Sequence, residues 1–286
     1  MHAAIFASLI LTAAGSTSTA LVAETLEPAP AIVPVNAQEP REFSDVRELL
    51  EALETADQGI ERLGADIIYR RLFALAGDTQ VRDGSFAYER TEAEDGTPDR
   101  RFRIDFERLY VGDKLDEGYS KTYIFDGEWL AEIEGRQFNR RQVVPPGEKF
   151  DPLAIGEGPF PWPVGQRADD ILERFAAELR PSPEGLEDQP DMRAVAQAKS
   201  LTQLLLVPRA DSDMADEFEE IRLWYDATTE ALLPRLARTV AIDGDESYIL
   251  LTNVAENGEA FDGGVFDTRP PQEPGWNVHI SPFRAD

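Results

Sequence analysis

The sequence has no cysteine, two histidines and far fewer basic than acidic residues. Without cysteine the chain can form no disulfide, thiolate metal site, cysteine nucleophile or lipidated N-terminal cysteine. The 28 Lys and Arg residues against 55 Asp and Glu give a formal net charge of −27, which repels phosphate backbones. We therefore expect no nucleic-acid partner. The acidity itself indicates a solvated or salt-adapted surface, with docking to a basic partner as the alternative.

Catalytic and metal-binding patterns are equally scarce. There is no G-x-S-x-G motif, and His279 lies two residues before Ser281 on one predicted strand, without the geometry of a nucleophile elbow. Asp211, Asp213 and Asp216 resemble the start of a calcium loop, but Arg222 occupies the last ligand position, where a glutamate is required. We expect no enzyme activity, no cofactor and no metal.

Long hydrophobic runs are missing as well. Residues 1–23 carry no Lys, Arg, Asp or Glu, and their apolar run breaks at Gly15 and a Ser/Thr cluster. This pattern is typical of a signal peptide, with an uncleaved anchor as the alternative. Residues 24–43 contain four prolines without periodicity and are predicted to be a flexible linker. The folded domain is predicted to span residues 44–286.

Apolar periodicity predicts two main helices. The first follows Ser44 as N-cap, covers residues 46–63 and ends at Gly64; the second covers residues 169–179. A short third helix is predicted at residues 192–199. Each main helix has one apolar face, formed in the first by Val46, Leu49, Leu50, Leu53, Ile60 and Leu63, and in the second by Ile171, Leu172, Phe175 and Leu179.

The rest of the chain alternates as strands do. About ten are predicted, at residues 67–75, 85–89, 101–107, 123–125, 129–133, 138–144, 201–207, 221–226, 236–242 and 247–254, with further segments at 261–266 and 276–280. The turns Asp83-Gly84, Asp95-Gly96 and Asp126-Gly127 carry hairpin residues. An antiparallel sheet of this size must curl, because strand twist accumulates, and the two main helices are available to cover its concave face.

The stretch 121–162 carries a family resemblance. It contains a hairpin of the form Phe-Asp-Gly-x-Trp at 125–129, a strand ending in Val-Pro-Pro-Gly-Glu at 144–148, and Asp-Pro-Leu at 151–153 before a proline-rich loop and a helix. From Ser44 to the C-terminus this order resembles the LolA-type outer-membrane lipoprotein carriers. The resemblance implies a mainly β, α+β fold: an incomplete, strongly curved antiparallel β-barrel with a helical lid over a concave apolar cavity that holds acyl chains.

A carrier of this kind needs an apolar lining and a lid but no reactive group. The candidate lipid-binding residues are Phe102, Ile104, Phe106, Tyr123, Phe125, Leu223, Tyr225 and Leu250 from the sheet, with Ile171, Leu172 and Phe175 from the lid. Ordinary packing of a helix on a sheet is the alternative for each of them. The resemblance also implies a lid latch at Arg90, although Thr91 stands where the family usually has proline; a solvated surface arginine is the alternative.

The sequence thus predicts a soluble periplasmic carrier, monomeric and without an integral membrane segment after export. Its expected partners are acylated lipoprotein or lipid cargo and membrane-bound donor and acceptor proteins. A lipid- or envelope-stress-sensing regulatory module of the same fold is the first alternative. A scaffold whose sheet is filled by its own side chains is the second.

Overall fold

The structure is a computed structural model that describes residues 39–92, 98–144 and 166–283. The predicted signal peptide, most of the predicted linker, the Asp95-Gly96 turn and the proline-rich stretch 145–165 lie outside the described residues. The described residues belong to one compact unit.

Three α-helices and thirteen strands lie within these ranges. The helices are α1 (Val46–Ala56), α2 (Ala168–Arg174) and α3 (Pro190–Ala198), and 3₁₀ turns cover Asp57–Gly59 and Asp213–Asp216. The strands are β1 (Arg62–Phe73), β2 (Asp78–Glu92), β3 (Pro98–Val111), β4 (Lys114–Asp116), β5 (Lys121–Phe125), β6 (Trp129–Glu134), β7 (Gln137–Gln142), β8 (Phe175–Arg180), β9 (Thr202–Pro208), β10 (Phe218–Asp226), β11 (Leu233–Ala241), β12 (Glu246–Glu256) and β13 (Asn277–Ser281).

All strands belong to one open sheet. Its order is β13-β7-β6-β5-β3-β2-β1-β12-β11-β10-β9-β8, with β4 paired to β3 beside this path. Every pair is antiparallel except β13 with β7, which is parallel. The sheet does not close, since β13 and β8 stand at opposite ends of the order. The predicted incomplete, antiparallel barrel is confirmed, except that its last pair, β13 with β7, is parallel.

The curvature of the sheet is evident from the side chains that it brings into one cluster. Leu130 on β6 and Phe175 on β8 lie near opposite ends of the strand order, yet both belong to the buried cluster that contains Leu49, Leu50 and Leu53 of α1. We call the face of the sheet that forms this cluster the inner face, and the opposite one the outer face. The helices predicted to cover the concave side, α1 and α2, lie on the inner face.

The start of α1 is capped one residue later than predicted. Asp45 Oδ1 accepts the Glu48 backbone N–H at 3.0 Å, so Asp45 is the N-cap. The Ser44 backbone N–H and hydroxyl instead donate to Glu48 Oε2 at 2.9 and 2.8 Å, and these bonds lower the pKa of Glu48. The predicted end at residue 63 is also wrong, because Leu63 already lies on β1.

Asp45→Ala should lower the free energy of unfolding by about 0.5–2 kcal/mol, since it leaves an N-terminal amide of α1 without an acceptor. Urea unfolding followed by tryptophan fluorescence measures the loss. Glu51→Ala on the same helix is the matched control: Glu51 makes an exposed ion pair with Arg47 at 3.8 Å, and its loss should cost less than about 0.5 kcal/mol. Equal losses in both variants would contradict the capping role.

Only the first part of the second predicted helix is helical, and the rest is a strand. α2 ends at Arg174, and Phe175 to Arg180 form β8, which pairs with β9 along its whole length. Phe175 and Leu179 are four residues apart, so a helix and a strand both place them on one side. Periodicity could not separate the two, and the prediction of helix for residues 175–179 is wrong.

Asp83-Gly84 is not a turn. The β1–β2 turn falls at residues 74–77, where Gly77 has a φ of +67°. Gly84 lies inside β2 at a bulge, and a Cβ there would lie 1.7 Å from the Asp105 carbonyl oxygen. The glycine therefore permits close approach of β3 instead of a chain reversal.

The predicted strand at residues 261–266 is a turn and loop segment that covers part of the outer face. Phe261 and Phe266 pack against Ile124, Ala131 and Phe138. Their ring centroids are 5.6 Å apart, edge to face. The aromatic side chains whose pattern predicts a strand therefore pack over the outer face of β5, β6 and β7.

Candidate functional site

The inner face carries a continuous apolar layer from β6 to β8. Of the candidate lipid-binding residues, all except Leu250 lie in it: Phe102, Ile104, Phe106, Phe125, Leu223, Tyr225, Ile171 and Phe175 are buried, and Tyr123 and Leu172 pack against them partly exposed. Alternation places these side chains on one side of their strands. We call this layer with its covering helices the trough.

In this structure the trough is closed by the protein's own side chains. Leu49 and Leu50 of α1 are fully buried, as are Phe102 and Phe125, whose rings stack with centroids 5.7 Å apart. Acyl chains could enter only if the helices moved away from the sheet.

Leu250 lies on the outer face, so its assignment to the lining is wrong. It pairs in register with Ile68 and Leu236 and belongs to a second cluster, beneath Met192 and Ala196 of α3. The inner-face residues of β12 are its neighbours Ile249 and Leu251. In a strand buried on both faces the sequence does not distinguish them, because both sets are apolar.

Helices α1 and α2 are joined by polar contacts at the surface. Arg47 Nη1 lies 3.1 Å from Asp169 Oδ1, and the Ala168 backbone N–H donates to Glu54 Oε2 at 3.3 Å. The side chains of Arg47 and Asp169 are 54% and 69% exposed, so their pair is worth at most about 1 kcal/mol. The two helices can thus act as one lid, held to the sheet mainly by apolar packing.

A single asparagine anchors the connection between the lid and the sheet. Asn257 Oδ1 accepts the backbone N–H groups of Glu61 and Arg62 at 2.8 and 3.1 Å, and its Nδ2 donates to the Gly59 carbonyl at 2.8 Å. Its φ is +50°, a left-handed conformation that asparagine tolerates. No local pattern predicts this role for Asn257, because its partners lie up to 198 positions away.

Arg90 lies close to the same connection. Its backbone N–H donates to the Glu61 carbonyl at 2.7 Å, which places this end of β2 beside the segment joining α1 to β1. The position is compatible with a latch, and that role stays a prediction.

A cleft of about 530 Å³ opens beside β8. It is not predictable from the sequence, because its lining residues 40–43 fall within the predicted linker. The Arg41 backbone N–H donates to the Ala227 carbonyl at 2.9 Å, and Phe43 packs against the inner-face cluster. The cleft is lined by Pro40, Arg41, Glu42, Phe43, Leu179, Arg180, Ser200, Leu201, Thr202 and Gln203.

Two buried polar groups near this end of the sheet lack hydrogen bonds. The Tyr225 hydroxyl is fully buried with no partner among the described residues, and its burial raises the pKa of the phenol. Arg235 is 7% exposed, and its Nε also lacks a partner there. Asp226 Oδ2 lies 3.6 Å from Arg235 Nη1; burial lowers the pKa of this guanidinium, and the Asp226 charge opposes the decrease.

The remaining motifs form no larger site within the described ranges. Ser281 Oγ lies 3.0 Å from His279 Nε2 on exposed β13, without a carboxylate hydrogen-bonded to the imidazole among the described side chains. The described part of the chain holds no group of His, Asp and Glu side chains arranged to bind a metal ion. None of its helices is long and apolar enough to span a bilayer.

Comparison with known proteins finds similar solved structures at low sequence identity. No family model and no curated protein matches the sequence. A DUF1329 family protein from Desulfovibrio piger is similar with a TM-score of 0.36 at 10% identity, over 77% of this chain and 95% of that one. MucB, in a complex with MucA(peri), is similar with a TM-score of 0.34 at 13% identity, over 74% of this chain and 56% of that one.

A LolA superfamily protein from Nitrosomonas europaea is similar with a TM-score of 0.32 at 8% identity, over 79% of this chain and 98% of that one.

Proposed function

We propose that this protein is an exported, periplasmic carrier that holds acyl chains of lipoproteins or lipids in the trough and transfers them between membranes. The observation that carries the proposal is the inner face itself: one apolar layer, backed by a large curved sheet and covered by two short helices. No covalent step is involved, and cargo would leave when an acceptor offers a more favourable apolar site.

The energies of opening and filling the trough are comparable. Exposing Leu49, Leu50 and Leu53 of α1 would cost roughly 5–9 kcal/mol, at about 1.5–3 kcal/mol for each side chain. A long acyl chain leaving water offers on the order of ten kcal/mol, at about 0.8 kcal/mol per methylene. One acyl chain thus offers a free energy similar to the cost of exposing these three leucines.

A regulatory or scaffold module is the second candidate function. It is favoured by the closure of the trough, because the inner-face side chains already bury one another. Such a protein would present its surface to a partner and take up no lipid. Native mass spectrometry of the gently purified protein separates the two: a bound acylated species supports carriage, and a clean apo mass together with failure to bind an acyl probe supports the module.

Two adjacent residues of β5 allow the binding face to be located. Phe125 lies on the inner face and Ile124 on the outer face, and both are buried. In Phe125→Trp and Ile124→Trp variants, a dibrominated fatty acid should quench the added tryptophan only at position 125, because bromine quenches at short range. Each enlarged side chain should cost about 1–3 kcal/mol, so both variants start from similar strain.

The readout is the quenching in excess of the wild-type protein, which contains four tryptophans. Stronger quenching at position 125 supports binding in the trough. Equal quenching at both positions, or binding without any excess at position 125, would overturn it.

A further inference from the structure

Tyr225 and Arg235 lie on neighbouring strands at a point where the strand register is irregular. Tyr225 on β10 pairs with Pro234 on β11, whereas Trp224 pairs with Leu236, so Arg235 is the extra residue of a β-bulge. Bulges redirect side chains and are frequent beside functional sites. One strand further on, Thr202 pairs with Tyr225 and also lines the cleft beside β8.

Each side chain carries one buried donor without an acceptor among the described residues, the hydroxyl of Tyr225 and the Nε of Arg235. The Tyr225 hydroxyl belongs to the inner-face cluster and has no hydrogen-bond partner among the described residues. The Nη1 of Arg235 forms an ion pair with Asp226 Oδ2 at 3.6 Å, longer than a hydrogen bond, and this pair leaves the Nε unsatisfied. Buried donors are nearly always satisfied, because an unmade hydrogen bond in an apolar setting is costly. Two unsatisfied donors on neighbouring strands therefore indicate an acceptor that binds there.

We infer that Tyr225 and Arg235 form a polar subsite that receives the carbonyl or carboxylate oxygens of an acyl ligand. This inference rests on the proposed function and adds the chemistry at the head of the chain. The hydrocarbon would lie along the apolar inner face, while the oxygens accept hydrogen bonds from the phenol and the guanidinium. A hydrocarbon without oxygen would gain the apolar contacts alone.

The test compares three competitors of a bound fluorescent fatty acid in the full-length protein: palmitate, monopalmitin and hexadecane delivered from cyclodextrin. Tyr225→Phe should weaken palmitate and monopalmitin about two- to tenfold, the effect of one hydrogen bond, and leave hexadecane unchanged. Because the hydroxyl has no partner in the protein, the urea midpoint of Tyr225→Phe should not fall. Arg235→Lys, which keeps the charge facing Asp226, should weaken palmitate by a similar factor and hexadecane not at all.

Tyr69→Phe is the matched control. Tyr69 also packs against the inner-face cluster, but its hydroxyl is already bonded to Ser247 Oγ at 3.2 Å. Its loss should change the three competitors equally. In Tyr225→Phe, a greater loss of affinity for palmitate and monopalmitin than for hexadecane supports the subsite. Whether palmitate or monopalmitin weakens more then shows whether the subsite prefers a free carboxylate or an ester.

If Tyr225→Phe changes all three competitors equally, or none, the subsite is wrong while carriage stands. If the wild-type protein binds neither the probe nor any competitor, the proposed function fails and the subsite with it.

Discussion

Leu53→Ala should lower the free energy of unfolding by about 2–5 kcal/mol and should speed the uptake of a fluorescent fatty acid. Leu53 is 1% exposed and projects from α1 into the inner-face cluster. Truncation removes apolar contact in the closed state, whereas the open state, in which Leu53 is exposed, loses little. The barrier to opening should therefore fall together with the stability. Urea unfolding gives the first quantity, and stopped-flow fluorescence gives the second.

Leu186→Ala separates lid opening from general destabilisation. Leu186 is also fully buried, but it packs in the outer-face cluster beside α3. Its truncation should cost a similar 2–5 kcal/mol and leave the uptake rate unchanged. Equal acceleration in both variants would mean that uptake follows global loosening, and the lid mechanism would be wrong.

The strands were the most predictable part of the fold. Alternation of Phe102, Ile104 and Phe106 with charged neighbours predicts β3 correctly, because the other face of that strand carries charged, partly exposed side chains. In β10 to β12 both faces are largely apolar, and this is where Leu250 was placed on the wrong one. Sequence alternation identifies a face only when the two faces differ in polarity.

Helix ends were less predictable, for a physical reason. Ile60 and Leu63 continue the helical spacing of α1, but they lie past its end, and Leu63 is on β1. Tertiary pairing of β1 with β2 and β12 outweighs a local pattern that fits both structures. The same competition converted residues 175–179 from predicted helix into β8.

The roles of two polar residues in the candidate site could not be predicted. Asn257 anchors Gly59 and Glu61, and Arg235 occupies a bulge relative to Trp224 and Tyr225. Both roles depend on partners brought together by the fold and not on a motif. From residue type alone, Asn257 predicts an ordinary turn and Arg235 an ordinary charged residue in a strand.

The two faces of the sheet differ in the kind of contact that joins them to the segments packed on them. The inner face meets its helices mainly through apolar side chains. On the outer face, Arg222 Nη1 donates to Glu184 Oε1 and to Gln203 Oε1 at 3.1 and 3.0 Å, and its Nε donates to Glu220 Oε1 at 3.0 Å. Directional bonds resist sliding, so we expect the α3 side to stay fixed while the lid moves.

Arg222→Met should lower the free energy of unfolding by about 1–3 kcal/mol, because it leaves the buried Gln203 Oε1 without its donor and removes the pairs with the partly exposed Glu184 and Glu220. Burial alone would lower the pKa of Arg222, but hydrogen bonds to Glu220 and Glu184 outweigh it and raise the pKa, so the guanidinium remains charged. A Cβ at Gly185, which has a φ of +77°, would lie 2.8 Å from the Arg222 side chain, so the loop before α3 rests directly on it. The loss should appear in urea unfolding followed through Trp224, which packs beneath α3.

Arg180→Met provides the comparison, since Arg180 is 38% exposed and pairs with Glu178 and Glu184 at the surface. Its loss should cost no more than about 1 kcal/mol. In both variants, below their unfolding transitions, acyl-probe uptake should match the wild type, because neither arginine belongs to the inner-face layer. Similar stability losses for the two arginines would show that the outer-face network is no stronger than surface pairing. A change in uptake with Arg222→Met would show that the α3 side moves with the lid.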